Sequence, residues 1–260
     1  MSQQAIHFER RGEHQEVAVI RLTRPAKRNA LNDGLILAIR KLFENMPEGV
    51  RAAVIDGDGE HFCAGLDLSE LKERDAGQGL HHSRMWHAAL ECVQYGPVPV
   101  IAALHGAVVG GGLELASACH IRVADESTFY ALPEGSRGIF VGGGGAVRIP
   151  RLIGAARMTD MMLTGRVYNA QDGEKIGFAQ YLVPQGTAFD KAFELAVRVA
   201  QNAPLTNYAL IHALPRIAEQ PADQGFLTEA MMAAIAQSAP EAKARVRAFL
   251  DGKAAKVSKG

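Results

Sequence analysis

The pattern of apolar and polar positions opens with two short β-like runs, residues 5–10 and 16–22, on either side of the polar turn Arg11-Gly12-Glu13-His14. Such runs around a glycine turn predict a hairpin, and Pro25 ends it. Asn32 or Asp33 then stands where a helix cap belongs, ahead of Leu35, Ile39, Leu42, Phe43 and Met46. Their three- and four-residue spacing lays one apolar stripe along a helix that covers a sheet. The unbroken run Ala52-Ala53-Val54-Ile55 reads as a buried strand leading into Asp56-Gly57-Asp58-Gly59. A helical stretch over residues 80–95 follows, stopped by Gly96-Pro97, and residues 99–104 form a second apolar strand. After Gly106 come Gly110-Gly111-Gly112, a helix-compatible segment over 113–118, and strand patterns over 121–124 and 128–131.

Strand, strand and helix thus recur without a sequence repeat of fixed period, which predicts an α/β class. From Phe189 onward the pattern is helical, broken near Pro204, Pro221 and Pro240. We therefore expect a core over residues 1–200 and a separate helical region over 201–260. The stripe Phe226, Leu227, Met231, Met232 and Ile235 in that region has to be covered, either within the chain or by another subunit.

Composition narrows the function classes. Lys plus Arg and Asp plus Glu both total 28, so the formal net charge is zero and nucleic acid is not the expected partner. Three widely spaced cysteines, Cys63, Cys92 and Cys119, suggest neither a disulfide framework nor a metal site, and fit a reducing cytoplasm. The opening stretch MSQQAIHFERRGEHQ is polar where a secretory leader would be apolar. No run approaches the roughly 18 apolar residues of a membrane span, so no membrane partner is expected.

Two segments carry candidate chemistry. In Gly110-Gly111-Gly112-Leu113-Glu114 a strand ends in glycines and a helix begins. The first N–H groups of a helix lack intrahelical partners and sit at the positive end of its dipole, and glycines let a ligand reach them, so this corner suits an oxyanion. The plain alternative is a tight, closely packed turn. In His61-Phe62-Cys63-Ala64-Gly65-Leu66-Asp67-Leu68 the Ala64-Gly65 pair can expose the Leu66 N–H. Two N–H donors converging from separate loops are what a thioester carbonyl requires to become an enolate. Cys63 with His61 or His105 raises a Cys–His nucleophile, but no third orienting group accompanies it. Gly142 to Gly145 lack the lysine and spacing of a phosphate loop and read as packing where a helix begins.

The segments LTRPAKRNALN, FCAGLD, HGAVVGGGLELASACHIRVAD, YALPEGSRGIFVGGGGAVRIPRLIG and LTGRVYNAQDGEKIGFAQYLV, in this order, resemble the crotonase, or enoyl-CoA hydratase/isomerase, superfamily. The resemblance implies the crotonase-like (ClpP/crotonase) spiral of repeated β-β-α units with a C-terminal helical trimerisation region. It implies oxyanion-hole N–H groups at Leu66 and Gly111, and a catalytic pair at Glu114 and Glu134. It implies an acyl-CoA substrate and no metal or permanently bound cofactor, with coenzyme A contacts at Ala26, Lys27, Arg28, Ala64, Asp67 and Leu68. Lys27 and Arg28 suit phosphate, or else are solvated surface cations.

Relatives assemble as homotrimers or homohexamers through the helical region, which favours subunit assembly as the cover for its apolar stripe. A C-terminal Phe followed by basic residues reaches a neighbouring subunit's coenzyme in such proteins. Here Phe249 and Lys253 are the candidates, with Gly252 where a basic residue is usual. After Glu134 the segment runs Gly135-Ser136-Arg137-Gly138-Ile139-Phe140-Val141, with Val141 where a proline is expected, so the acyl group accepted is expected to be specialised. The expected reaction is hydration of a 2-enoyl-CoA to a 3-hydroxyacyl-CoA. A Δ3-Δ2 isomerase or another lyase or hydrolase over the same oxyanion hole is the alternative.

Overall fold

The computed structural model describes residues 5–70 and 72–253. Strand β1 (Ile6–Arg11) pairs antiparallel with β2 (Val17–Leu22), which closes the expected hairpin. Parallel pairing then carries the sheet through β3 (Ala52–Gly57), β4 (Val100–Leu104), β6 (Ile121–Asp125) and β9 (Tyr181–Val183), in the order β1-β2-β3-β4-β6-β9. A second sheet holds β5 (Ala107–Val109), β7 (Phe129–Ala131) and β8 (Tyr168–Asn169) in the order β5-β7-β8. β4 is buried along its whole length, as its unbroken apolar run requires of a central parallel strand.

Side chains of successive strand residues face opposite sides, and the core divides accordingly. Ala53, Ile55, Val100, Ala102 and Leu104 face one apolar cluster, whereas Ala52, Val54, Ile101 and Ala103 face another. The first cluster is covered by α1 (Asp33–Glu44), α2 (Ala76–Gln94) and α3 (Gly111–Ala118), and the second by α7 (Ala188–Ala200). Ala188, Ala192, Leu195 and Ala196 recur at helical spacing and form the buried face of α7.

Asn32 caps α1, accepting from Leu35 N at 2.9 Å, and Asp33 is free for other partners. α2 begins four residues earlier than expected because Asp75 and Gln78 form a reciprocal capping box at its start. Between the glycine run and β9 lie three helices, α4 (Gly145–Ile153), α5 (Ala155–Thr164) and α6 (Ala170–Ile176).

The chain divides into two compact units between Ala200 and Gln201. In the second, α8 (Pro204–Tyr208) runs through a π turn into α9 (Leu214–Ile217), followed by α10 (Ala222–Ser238) and α11 (Pro240–Leu250). Phe226, Leu227, Met231 and Ile235 are all exposed on α10 in the single chain. No described helix is long and apolar enough to cross a membrane.

Candidate active site

The site is built where the loop over 61–67 crosses the start of α3. Cys63 N donates to Ala107 O at 2.9 Å and Val109 N to Cys63 O at 3.1 Å, so the loop is laced to β5. On its other side Leu31 N donates to Gly65 O and Asp67 N to Leu31 O, each at 2.7 Å. This pattern engages the flanking groups and leaves the Leu66 N–H over. Gly111 opens α3, so its N–H is among those with no intrahelical acceptor. The two converge: a Cβ built on Gly111 would lie 3.7 Å from Leu66 N, and one on Gly65 would lie 3.5 Å from Gly111 N. The approach depends on Gly112, where a Cβ would stand 2.3 Å from Cys63 O.

Two carboxylates face the same space. Glu114 is in the first turn of α3 and 4% exposed. Its Oε1 accepts from both Gly143 N and Gly145 N at 2.8 Å. Burial pushes its pKa up to about 7 against the pull of those amides, with the Glu134 charge raising it further and the Arg148 charge lowering it. Glu134 lies in the turn after β7 and is 8% exposed. Burial raises its pKa too, opposed by its own backbone N–H and by Arg137. Glu134 Oε2 is buried and has no hydrogen-bond partner among the described residues, a state that calls for an explanation in a buried polar atom. The glycine run over 142–145 starts α4 and, beyond that packing role, supplies both amide donors to Glu114.

Leu66, Gly111, Glu114 and Glu134 line one cavity of about 380 Å³. Trp86, Ile139 and Phe140 give it an apolar wall, and Arg74 and His82 add polar groups. Asp33 Oδ1 accepts from Trp86 Nε1 at 2.9 Å and stands 2.7 Å from His82 Nε2, holding both rings. A larger hollow of about 530 Å³ lies around Asp56, His105 and Phe189, and neither glutamate reaches it. The smaller cavity is the one that the Leu66 and Gly111 backbone and both glutamates line.

The family model for enoyl-CoA hydratase/isomerase matches residues 12–258. The chain belongs to the enoyl-CoA hydratase/isomerase family. The family is one of enzymes, and the α/β architecture above is its crotonase fold. A crystal structure of a family member from Rhodopseudomonas palustris CGA009 is 61% identical, with a TM-score of 0.92 over 96% of this chain and 95% of that one. An enoyl-CoA hydratase from Bacillus anthracis is 31% identical, with a TM-score of 0.88 over 96% of this chain and 97% of that one. The 2,3-dehydroadipyl-CoA hydratase of Escherichia coli is 32% identical over 240 residues, covering 91% of this chain and 92% of its own.

The positions expected to meet coenzyme A fall into three groups. Ala26 and Lys27 lie on an exposed 3-10 turn, Pro25–Lys27, beside Arg28, whose carbonyl accepts from Ala64 N at 2.9 Å. The turn and the loop carrying Ala64 and the exposed Leu68 are therefore neighbours, as a shared ligand would need. Asp67 is different. Its carboxylate takes Ser69 Oγ at 2.6 Å, Arg24 Nη2 at 2.7 Å and Lys27 Nζ at 3.0 Å, and these donors, Ser69 first, hold its pKa well below the carboxylate range. Its side chain thus braces the loop over 61–67 against Arg24 and Lys27, and Lys27 is partly neutralised by it. Arg28 makes no ion pair among the described residues. Phe249 and Lys253 belong to the second unit, where both are exposed and Lys253 Nζ is 3.5 Å from Asp251 Oδ2.

Cys63 is fully buried and its pKa is pushed up to about 12, which removes the thiolate a Cys–His nucleophile requires. Arg74, His82, Trp86, Gln94 and Arg148 were not singled out by sequence, and Asp33 was read only as a possible helix cap. Trp86 is the only tryptophan of the chain, and that rarity was the one available signal.

Proposed function

We propose that the protein adds water across the 2,3 double bond of a 2-enoyl-CoA, giving a 3-hydroxyacyl-CoA. The observation that carries this reading is the pair of buried carboxylates beside two converging, unengaged backbone N–H groups in one cavity. The thioester oxygen sits between Leu66 N–H and Gly111 N–H. Glu114, anchored through Oε1, holds water with Oε2 and takes its proton as the oxygen attacks C3. The π electrons move to C2 and on to the thioester oxygen, where the two donors stabilise the enolate; each such donor is typically worth about 2.7 to 4 kcal/mol. Collapse of the enolate returns the electrons to C2, which takes a proton from Glu134.

Hydrogen bonding supports this division of labour. Two amide donors favour the ionised form of Glu114, whereas the buried, partnerless Oε2 of Glu134 favours a protonated carboxyl. Moving a double bond from the 3 to the 2 position needs one carboxylate to shuttle a proton, so the second one favours hydration.

The test follows loss of enoyl absorbance and formation of 3-hydroxyacyl-CoA from crotonyl-CoA and from longer, aromatic and ω-carboxylated enoyl-CoAs. Arg74 and His82 in the cavity wall are the reason to include polar acyl chains. Turnover unchanged in Glu114→Ala and Glu134→Ala would sink the mechanism, and conversion of 3-enoyl-CoA without hydration would replace it with isomerisation. We further propose that the exposed stripe of α10 is covered in a homotrimer or homohexamer; a monomer mass in solution would contradict that.

A further inference from the structure

Arg148 is a buried cation outside the cavity lining. It sits in the first turn of α4 and is 7% exposed. Nε donates to Gln94 Oε1 at 2.7 Å, at the end of α2, and Nη1 donates to Gly143 O at 2.9 Å. The same Gly143 residue presents its N–H to Glu114 Oε1 at 2.8 Å. One continuous chain of contacts therefore runs from Gln94 through Arg148 and Gly143 to Glu114.

The turn is shaped around the guanidinium. Gly144 has φ +98°, and a Cβ there would stand 2.3 Å from Arg148 Nη1, against both the backbone conformation and the side chain. Ser83 Oγ holds the preceding carbonyl, Gly142 O, at 2.7 Å from α2. Burial lowers the Arg148 pKa, so keeping a guanidinium here costs desolvation energy. Ordinary loop packing would not require a charged side chain.

We propose that Arg148 is a positioning residue for the hydration reaction: by holding Gly143 O it fixes the Gly143–Gly144 peptide, which lies between the two peptides whose N–H groups meet Glu114 Oε1, and so keeps both donors in place and leaves Oε2 to hold the reacting water. This rests on the hydratase reading above. The ionisable groups acting on the Glu114–Arg148 pair are Glu134 from the turn after β7, His87, Glu91 and Tyr95 from α2, and Cys119 after α3, with Arg137 acting on Glu134. Of these charges Arg148 is the cation that lowers the Glu114 pKa. Removing it raises that pKa, and the acidic limb of the rate profile moves to higher pH.

The experiment compares Arg148→Met, Arg148→Lys and Gln94→Leu with wild type on crotonyl-CoA across pH. Arg148→Met is expected to lower kcat about 10- to 100-fold with little change in KM, and to move the acidic limb upward by about one pH unit. Arg148→Lys keeps the charge but not the fork; its limb stays in place while part of kcat is lost. Gln94→Leu releases one arm of the clamp and is expected to lower kcat several-fold with the limb unmoved. A fall in kcat or melting temperature without movement of the limb in Arg148→Met means a merely structural role and overturns the assignment. If Arg148→Met does not fold, wild-type kcat in both other variants overturns it, and the pattern just given sustains it. Titration of the Glu114 carboxyl by infrared or 13C NMR reads the same shift without turnover. A protein that hydrates no enoyl-CoA loses the hydratase reading and the role in hydration with it, whereas an unmoved Glu114 titration in Arg148→Met of a protein that does hydrate overturns the role of Arg148 alone.

Discussion

Glu114 and Glu134 are the same side chain in two differently built places. Glu114 projects from the first turn of a helix buried along its whole length, and two amides from a separate loop pin one of its oxygens. Glu134 sits in a short turn between β7 and α4, and its buried Oε2 meets no donor. Burial raises the pKa of both, and most strongly that of Glu114, which reaches about 7 in spite of its two amides. In the proposed reaction the two amides offset part of that rise and keep Glu114 available as the base, while Glu134, whose Oε2 meets no donor among the described residues, carries the proton. On the proposed mechanism, two identical groups take acid and base roles through what surrounds them.

The largest expected effect separates the two directly. Glu114→Gln and Glu134→Gln are each expected to lower kcat about 10² to 10⁴-fold, with Glu114→Gln alone abolishing the acidic limb. That limb is expected near pH 7, where Glu114 ionises; a limb that survives Glu114→Gln would reverse the roles. Next come glycines whose added methyl disturbs one carboxylate each. In Gly145→Ala the Cβ would stand 2.8 Å from Glu114 Cγ and Oε1, and because Glu114 is pinned it cannot yield without losing its amides, so about a 100-fold loss in kcat is expected.

In Gly110→Ala the Cβ would stand 2.5 Å from Glu134 Oε1, a less constrained group. A smaller loss, about 10-fold, is expected there, together with a lower melting temperature because φ is +51° at this position. Equal losses in the two alanine variants would show that the pinning of Glu114 has no kinetic weight. The smallest effect is a displacement of the limb. The Glu134 charge raises the Glu114 pKa, so in the residual activity of Glu134→Gln the acidic limb is expected at lower pH than in wild type. Movement upward would mean the two carboxylates are not coupled in this sense.

Much of the framework was legible along the chain because it is local. Periodicity placed the hairpin, α1, β3 and β4, and Asn32 was among the two residues offered as its cap. Gly110-Gly111-Gly112 and Ala64-Gly65 read as exposed backbone because residues without bulky side chains leave N–H groups open. The short strand β5 was not resolved, since three residues carry too little pattern, and of the helices α4 to α6 only the start of α4 was read, from its glycines. Asp67, where the resemblance implies a coenzyme A contact, has its carboxylate held by Ser69 beside it and by Arg24 and Lys27 some 40 positions away, partners that no local pattern announces.

The sequence by itself determined the α/β class, the family and the glycine-opened helix start, because each depends on short spacings and on residue types that few other folds combine, and the family resemblance singled out the two candidate carboxylates. Only the tertiary structure decided what Glu114 meets. Gly143 and Gly145 are 29 and 31 positions away from it, and Gln94 and Arg148 are 54 positions apart. A carboxylate's proton affinity is set by burial and by the donors aimed at it, and those are properties of packing that no local pattern of residues encodes.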